Sequence, residues 1–207
     1  AVTLDEGEVY MVKGDGQTRG VFDLTGSRIR STKPVGFLPF HERTTMPNLL
    51  VFGNGRNHLV EMMPPVNNWG KRYATVEYKR ENLNGIGKGD VFRVVASQAN
   101  TKWSLKYYDK ASKALLGQGG GVLAKAGDFA DVTQSGAPTA LTSGFSVWNA
   151  DKPVFVMQYS CSQSWDGDQI LDPFMINVVP KEQFITSTIF QSPTSGKFGK
   201  HRLNLIV

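Results

Sequence analysis

The sequence predicts an all-β protein built from antiparallel, sandwich-like units. Short runs rich in β-branched and aromatic residues recur along the 207-residue chain, each bounded by Gly, Pro, Asn or Asp. No segment keeps an apolar period of 3.6 residues over the roughly 11–18 residues that a helix prediction requires. A third observation, a set of motifs that recurs at nearly constant spacing, predicts two tandem, internally duplicated units packed as one module.

The predicted strands share a period of two or a short apolar run, with turn residues between them. The segment RYATVEY, for example, alternates strictly between its two faces. The predicted strands cover residues 8–12, 27–31, 34–40, 72–78, 90–97, 101–108, 144–149, 153–160, 174–179, 186–190 and 202–207.

An internal repeat is indicated by Lys33-Pro34-Val35, which recurs as Lys152-Pro153-Val154 at an offset of 119 residues. Other motifs recur in the same order at offsets of 115 to 120: LDEGEVY with LAKAGDF, LTGSRI with LTSGFSV, and NHLVEMMPP with DPFMINVVP. Because the offset drifts slowly and the order is kept, we interpret the set as a duplication.

The predicted boundary between the two units is the glycine-rich segment 117–121, because glycine bends freely and packs no side chain. The first unit is then residues 1–116 and the second is residues 122–207. The second unit is shorter, since RLNLIV aligns with DVFRVVAS and no counterpart of TKWSLKYY follows it. We therefore expect that the units exchange a strand or that the natural chain continues past Val207.

Residues inside the repeated motifs are predicted to form framework. Proline fixes its own φ, biases the preceding residue toward extended backbone and cannot donate to a sheet, so a Lys-Pro pair is expected where the chain enters a buried strand. The framework residues on this basis are Lys33, Pro34, Pro65, Trp69, Lys152, Pro153 and Pro180.

Ordered motifs along nearly the whole chain suggest a family. GEVYMV, DLTGSRIRSTKPVGF, NHLVEMMPPVNNWGKRY, ADKPVFVMQYS and DPFMINVVPKEQF follow one another between Gly7 and Phe190. In these motifs the chain resembles the N-terminal domain of the IgGFc-binding protein family, including similarly built domains of bacterial surface and secreted proteins. The resemblance implies an extracellular or cell-surface module that binds a protein or glycan ligand and is not an enzyme.

The composition of the chain limits which partners and environments we expect for it. Hydrophobic residues make up 40% and charged residues 20% of the chain, which is ordinary for a globular protein. No apolar run approaches the roughly 18–20 residues of a membrane span, so we expect no membrane insertion. The net charge of +5 is the difference between 23 Lys and Arg residues and 18 Asp and Glu residues. The basic residues are scattered along the chain, and we expect no nucleic-acid partner. Cys161 is the only cysteine, which excludes an internal disulfide.

The predicted ligand-binding surface consists of the loops 41–57, 79–89 and 161–171, which lie between repeated elements and differ most between the two copies. The acidic loop next to Trp165 lies outside the repeat, and an exposed indole there could stack on a ligand. The candidate ligand contacts are Arg56, Trp165, Asp166 and Asp168.

The same acidic loop is a candidate calcium site through Asp166, Asp168 and Asp172. Calcium takes about six to eight oxygen ligands, and three carboxylates supply fewer than half of them. Turn formation is the alternative, because Asp-Gly favours a tight turn and Asp172-Pro173 suits the start of an element. No cofactor other than calcium is expected.

A catalytic group is not predicted. His41, His58 and His201 have no metal-ligand spacing, and Ser160-Cys161-Ser162 lacks the Gly-x-Ser-x-Gly pattern of a hydrolase. The predicted function is a non-catalytic extracellular binding or adhesion module that presents variable loops. Two alternatives stay open: an assembly subunit that self-associates through edge strands such as residues 202–207, and a carbohydrate-active enzyme with two carboxylates facing a cleft.

Overall fold

The computed structural model describes residues 1–14, 23–47, 55–78, 89–133, 144–166, 172–192, 196, 199 and 201–207. A helical turn, α1 (Gln163–Asp166), and two 3₁₀ helices, Val66–Asn68 and Lys181–Gln183, are short. The prediction of an all-β fold with antiparallel sheets is confirmed. The strands are β1 (Phe40–Thr44), β2 (Asn57–Val60), β3 (Gly70–Val76), β4 (Val91–Ala96), β5 (Thr101–Tyr108), β6 (Leu115–Leu123), β7 (Phe129–Thr133), β8 (Phe145–Tyr159) and β9 (Met175–Asn177).

Strand β8 holds the main sheet together. It has 15 residues, and its two halves have different neighbours. The first half, Phe145–Ala150, pairs with β3 and β5, whereas the second half, Val154–Tyr159, pairs with β4 and β9. β6 and β7 complete a 7-stranded, barrel-like sheet, and β1 and β2 form a separate 2-stranded sheet.

Strand β4 is buried on both faces and separates two hydrophobic clusters. Phe92 and Val94 point to one side, where they pack with Trp148 and Val156. Val91 and Val95 point to the other side, together with alternate residues of β8 and the buried side chains of Leu59, Cys161 and Trp165. Because successive side chains of a strand point to opposite faces, one short apolar run supplies both clusters.

The change of neighbours along β8 falls at Lys152-Pro153. The sequence predicts that this pair marks the entry to a new strand, but the predicted strands 144–149 and 153–160 join into one. The register of β3 against β8 is interrupted between Asn149 and Val154, so the proline lies where β3 makes no ladder hydrogen bond. The ammonium group of Lys152 donates to the carbonyl of Ala99 at 2.5 Å.

The glycine-rich segment 117–121 forms part of β6 and not a linker. It pairs with β5 from Thr101↔Leu123 to Tyr108↔Leu115. A Cβ at Gly120 would lie 2.5 Å from the backbone oxygen of Trp103, so the two strands approach too closely there for a side chain. Strands on both sides of this segment share one sheet, and the division into units 1–116 and 122–207 stays a prediction.

The strand predictions are confirmed mainly for segments that have a hydrogen-bonded neighbouring strand. Those at 72–78, 90–97, 101–108 and 174–179 correspond to β3, β4, β5 and β9. Short runs alone do not make strands, because a strand needs a partner to bond to. The predicted strands at 8–12, 27–31, 186–190 and 202–207 are not strands in the structure. Of the predicted strand 34–40, only Phe40 belongs to a strand, as the first residue of β1. Strands β2, β6 and β7 were not predicted.

Residues 23–27, which we call the N-terminal strap, are bound to the sheet through Arg93. The guanidinium group donates to both carboxylate oxygens of Asp131, at 2.7 and 2.9 Å, and to Asp23 at 3.0 Å. Burial raises the pKa of Asp23, but hydrogen bonds from Thr25 and the charge of Arg93 outweigh it, and the net pKa is lowered. This contact therefore stabilises the fold above the ordinary pKa of an aspartate and is lost as the pH falls through the folded pKa.

The strap also contacts the turn between β6 and β7 through two glycines. Gly26 and Gly127 both have positive φ, 85° and 89°. A Cβ on Gly26 would lie 2.2 Å from the carbonyl oxygen of Gly127, and one on Gly127 would lie 2.6 Å from that of Gly26. Only glycine combines this backbone conformation with such a close approach.

The substitution Gly127→Ala should lower the free energy of unfolding by more than Gly7→Ala does. Gly7 has nearly the same φ, 86°, but nothing lies within 4 Å of its Cβ position, so its substitution introduces backbone strain alone. That strain costs about 1–2 kcal/mol, and Gly127→Ala adds the displacement of the strap. Urea denaturation of both variants measures the difference, and equal costs would contradict the docking of the strap on this turn.

Candidate functional site

The three predicted loops meet in their described parts, and we call this contact region the loop junction. Ser162 and Met46 exchange two hydrogen bonds: the Ser162 amide donates to the Met46 carbonyl at 2.7 Å, and the Met46 amide donates to Ser162 Oγ at 2.9 Å. Gly55 lies against Gln163, where a Cβ would be 3.0 Å from the Gln163 nitrogen. Loops 41–57 and 161–171 are thus joined at two points.

Trp165 connects the third loop to the junction. Its indole Nε1 donates to the carbonyl oxygen of Gly89 at 3.2 Å, and Cys161 Sγ contacts the same oxygen at 3.3 Å. Only 3% of Trp165 is exposed. The ring therefore supports the loops from inside the molecule and does not present a face to a ligand, which corrects its predicted role as an exposed contact.

Two buried carboxylates lie directly below the junction. Asp90 accepts hydrogen bonds from the Tyr78 amide at 3.0 Å and from the Gln158 side chain at 2.6 Å. Its own amide donates to Glu77 at 2.6 Å. Burial, followed by the nearby charge of Glu77, raises the pKa of the Tyr107 hydroxyl. The carboxylates hold the ends of β3 and β4 at the loop base and are buried among these donors, not on an open cleft.

The other predicted site residues are not all brought together. Arg56 is exposed beside Gly55, within the loop that contacts Gln163. Asp166 ends the helical turn α1, and Asp172 is exposed before the buried Pro173. Asp168 lies outside the described residues. Among the residues that the structure describes, no three His, Cys, Asp or Glu side chains form a metal-binding group, and the calcium site stays a prediction.

The predicted framework residues lie in different parts of the structure. Pro65 and Pro180 each precede a 3₁₀ helix, and Trp69 packs on Phe155 with ring centroids 5.4 Å apart. Lys152 and Pro153 lie at the centre of β8. Lys33 and Pro34, their predicted counterparts, are exposed.

Two small cavities lie among the described residues. One of about 150 Å³ lies between the two 3₁₀ helices and is lined by Trp69, Tyr73 and Phe155 among others. A more open depression of about 240 Å³ lies beside Trp103. Both are smaller than the roughly 300–1,000 Å³ of typical small-molecule sites.

The structural residues of the junction were missing from the sequence prediction. Glu77 directly follows β3, Asp90 directly precedes β4 and Gln158 lies in β8; the three come together, and Gly89 supplies the carbonyl that Trp165 reaches. Polar residues inside apolar strands, such as Glu77 in RYATVEY and Gln158 in VFVMQYS, are the one signal in the sequence. Buried polar groups need partners, but the sequence does not say which.

The fold and the junction define the class of the protein. An antiparallel β-sandwich scaffold that gathers loop ends in one place is typical of binding modules, in which a rigid framework positions the loops. Within the described residues, no helix has the length and apolar character that crossing a membrane requires.

The chain belongs to the IgGFc binding protein family, whose family model matches residues 1–207. The predicted family is therefore confirmed over the whole chain. It is a family of binding modules typical of secreted proteins. Searches of curated proteins and of solved structures gave no significant match.

The substitution Asp90→Ala should lower the free energy of unfolding by roughly 1–3 kcal/mol, because it leaves the Tyr78 amide without this buried acceptor and removes one of the two acceptors of the Gln158 side chain, the other being the Val76 carbonyl. Asp172→Ala is the matched control, since Asp172 is exposed and its loss should change stability by less than about 0.5 kcal/mol. Chemical denaturation compares the two variants. Equal effects would contradict a structural role for Asp90 at the loop base.

Proposed function

We infer that this chain is an extracellular module that binds a protein ligand through the loop junction. The observation that carries the proposal is the meeting of the three predicted loops around Trp165, Ser162 and Gly89. Membership of the IgGFc binding protein family supports a protein as the ligand class. We propose adhesion at a cell surface as the biological role of such a module.

The junction is suited to binding because its base is fixed. Trp165, Cys161 and Ser162 are buried, and Met46 is bonded to Ser162 through both its amide and its carbonyl. Loops whose ends are held in place lose less conformational entropy when a ligand binds, so more of the contact energy contributes to affinity.

Arg56 is the described residue at the junction best placed to contact a ligand. It is exposed and follows Gly55, which lies against Gln163. Arginine is enriched among the residues that dominate protein–protein interfaces, because its planar guanidinium group binds carboxylates and stacks on aromatic rings. A protein surface with acidic residues would complement it.

The test measures binding of a purified IgG Fc fragment to the immobilised 207-residue chain by surface plasmon resonance. The Fc fragment is the first ligand because the family description names it. We expect binding that Arg56→Glu weakens by about tenfold or more, the size expected when an interface arginine is lost. Arg28→Glu, the same charge change at another exposed arginine, should have little effect.

The outcomes separate the parts of the proposal. Binding that responds equally to both substitutions would show a general charge effect and contradict the assignment of Arg56. Binding that neither substitution changes would place the contact outside the loop junction. No binding would exclude the Fc fragment as the ligand.

A further inference from the structure

Residues 35–40, in the predicted first copy, are mostly exposed, whereas the matching residues of the predicted second copy are buried. We propose that the open edge and apolar face of residues 35–40 bind residues 201–207 of a second copy of this chain. This interaction is independent of the loop junction. It follows from a set of contacts that recur at the offsets of the sequence repeat.

Matched contacts relate the two copies. The Met63 amide donates to the Phe37 carbonyl at 3.0 Å, and the Val178 amide donates to the Val156 carbonyl at the same distance. The strand pair Phe40↔Val60 corresponds in the same way to Tyr159↔Met175. Residues 35–40 and 60–62 thus correspond to the second half of β8 and to β9.

Turns match as well. The Asp5 amide donates to the Glu8 carboxylate at 2.8 Å, and the Lys125 amide donates to the Asp128 carboxylate at 2.8 Å. The 3₁₀ helix after Pro65 and the one after Pro180 have the same length and the same closing hydrogen bond, at 3.2 Å in each. Local geometry at several separate places therefore follows the duplication that the sequence predicts.

The two predicted copies differ in how far their matching side chains are exposed. Val156 and Tyr159 are 0% and 9% exposed, because β4 pairs along the other edge of β8. Their counterparts Phe37 and Phe40 are 41% and 47% exposed. Within the described residues, β1 pairs with β2 alone, so its other edge is open to strand addition.

The covering strands show which segment fits this edge. β3 and β4 follow the first 3₁₀ helix along the chain, and residues 185–207 follow the second. Before β4 the sequence reads Ile-Gly-Lys at 86–88, and before RLNLIV it reads Phe-Gly-Lys at 198–200, an offset of 112 residues. The segment 202–207 is thus the counterpart of β4.

This segment is available to a partner. Leu203, Leu205 and Val207 are 68%, 79% and 106% exposed, so these side chains do not pack on their own chain. Apolar residues of this segment and of the open strand edge both lose their contact with water when they pair. Because the donor and the acceptor are different surfaces of the chain, each copy can give one segment and receive another.

Light scattering after size-exclusion chromatography, over a range of protein concentrations, tests the proposal. We expect the mass of the 207-residue chain to rise with concentration to that of two or more chains. Leu203→Lys with Leu205→Lys removes the donor, and Phe37→Lys with Phe40→Lys removes the acceptor. All four residues are exposed, so both double variants should keep the fold, which circular dichroism checks.

Mixing the variants gives the sharper result. Each double variant alone should stay a single chain, whereas an equimolar mixture should form pairs and nothing larger, because it contains one intact donor and one intact acceptor. Val122→Lys, which changes an exposed apolar residue of β6, should assemble like the unmodified chain. A chain that stays single at every concentration, or assembly that survives in both double variants, would overturn the proposal.

Discussion

The rest of the structure depends on β8, a single strand that serves two sets of neighbours. Its first half lies between β3 and β5, and its second half lies between β4 and β9. The alternating side chains of the second half enter both hydrophobic clusters, so the two cores cannot form independently. Lys152-Pro153 marks the transition, because proline has no amide to donate where the pairing with β3 is interrupted.

The loop junction is an extension of this arrangement. β8 continues into Ser160, Cys161 and Ser162, and the last two anchor Gly89 and Met46. Gln158, near the end of the same strand, bonds to Asp90 at the start of β4. The candidate binding surface is therefore positioned by the strand that forms the core, which is how a rigid framework presents loops of different sequence.

The sequence predicts the all-β fold class well but the individual strands only in part, for a physical reason. Alternation in RYATVEY and the apolar run of DVFRVVAS identify β3 and β4, because both patterns are local. β6 is missed because its glycine run is typical of a linker, whereas Gly120 is required by the close approach of the Trp103 backbone, which is not a local property. The loops were identified from the repeat, but the burial of Trp165 depends on Gly89, 76 residues earlier. The segments 27–31 and 202–207 have strand sequences without a strand neighbour.

Hydrogen exchange of individual backbone amides, measured in dilute solution, tests the central claim that β8 is the structural centre and that residues 35–40, which the predicted repeat matches to its second half, are open. We expect the amides of Phe155 and Met157, which lie in the ladder between β8 and β4, to exchange far more slowly than those of Gly36 and Leu38, their predicted counterparts in the exposed segment. Equal protection of the two sets in a solution of single chains would contradict this claim, because residues 35–40 would then be covered by their own chain.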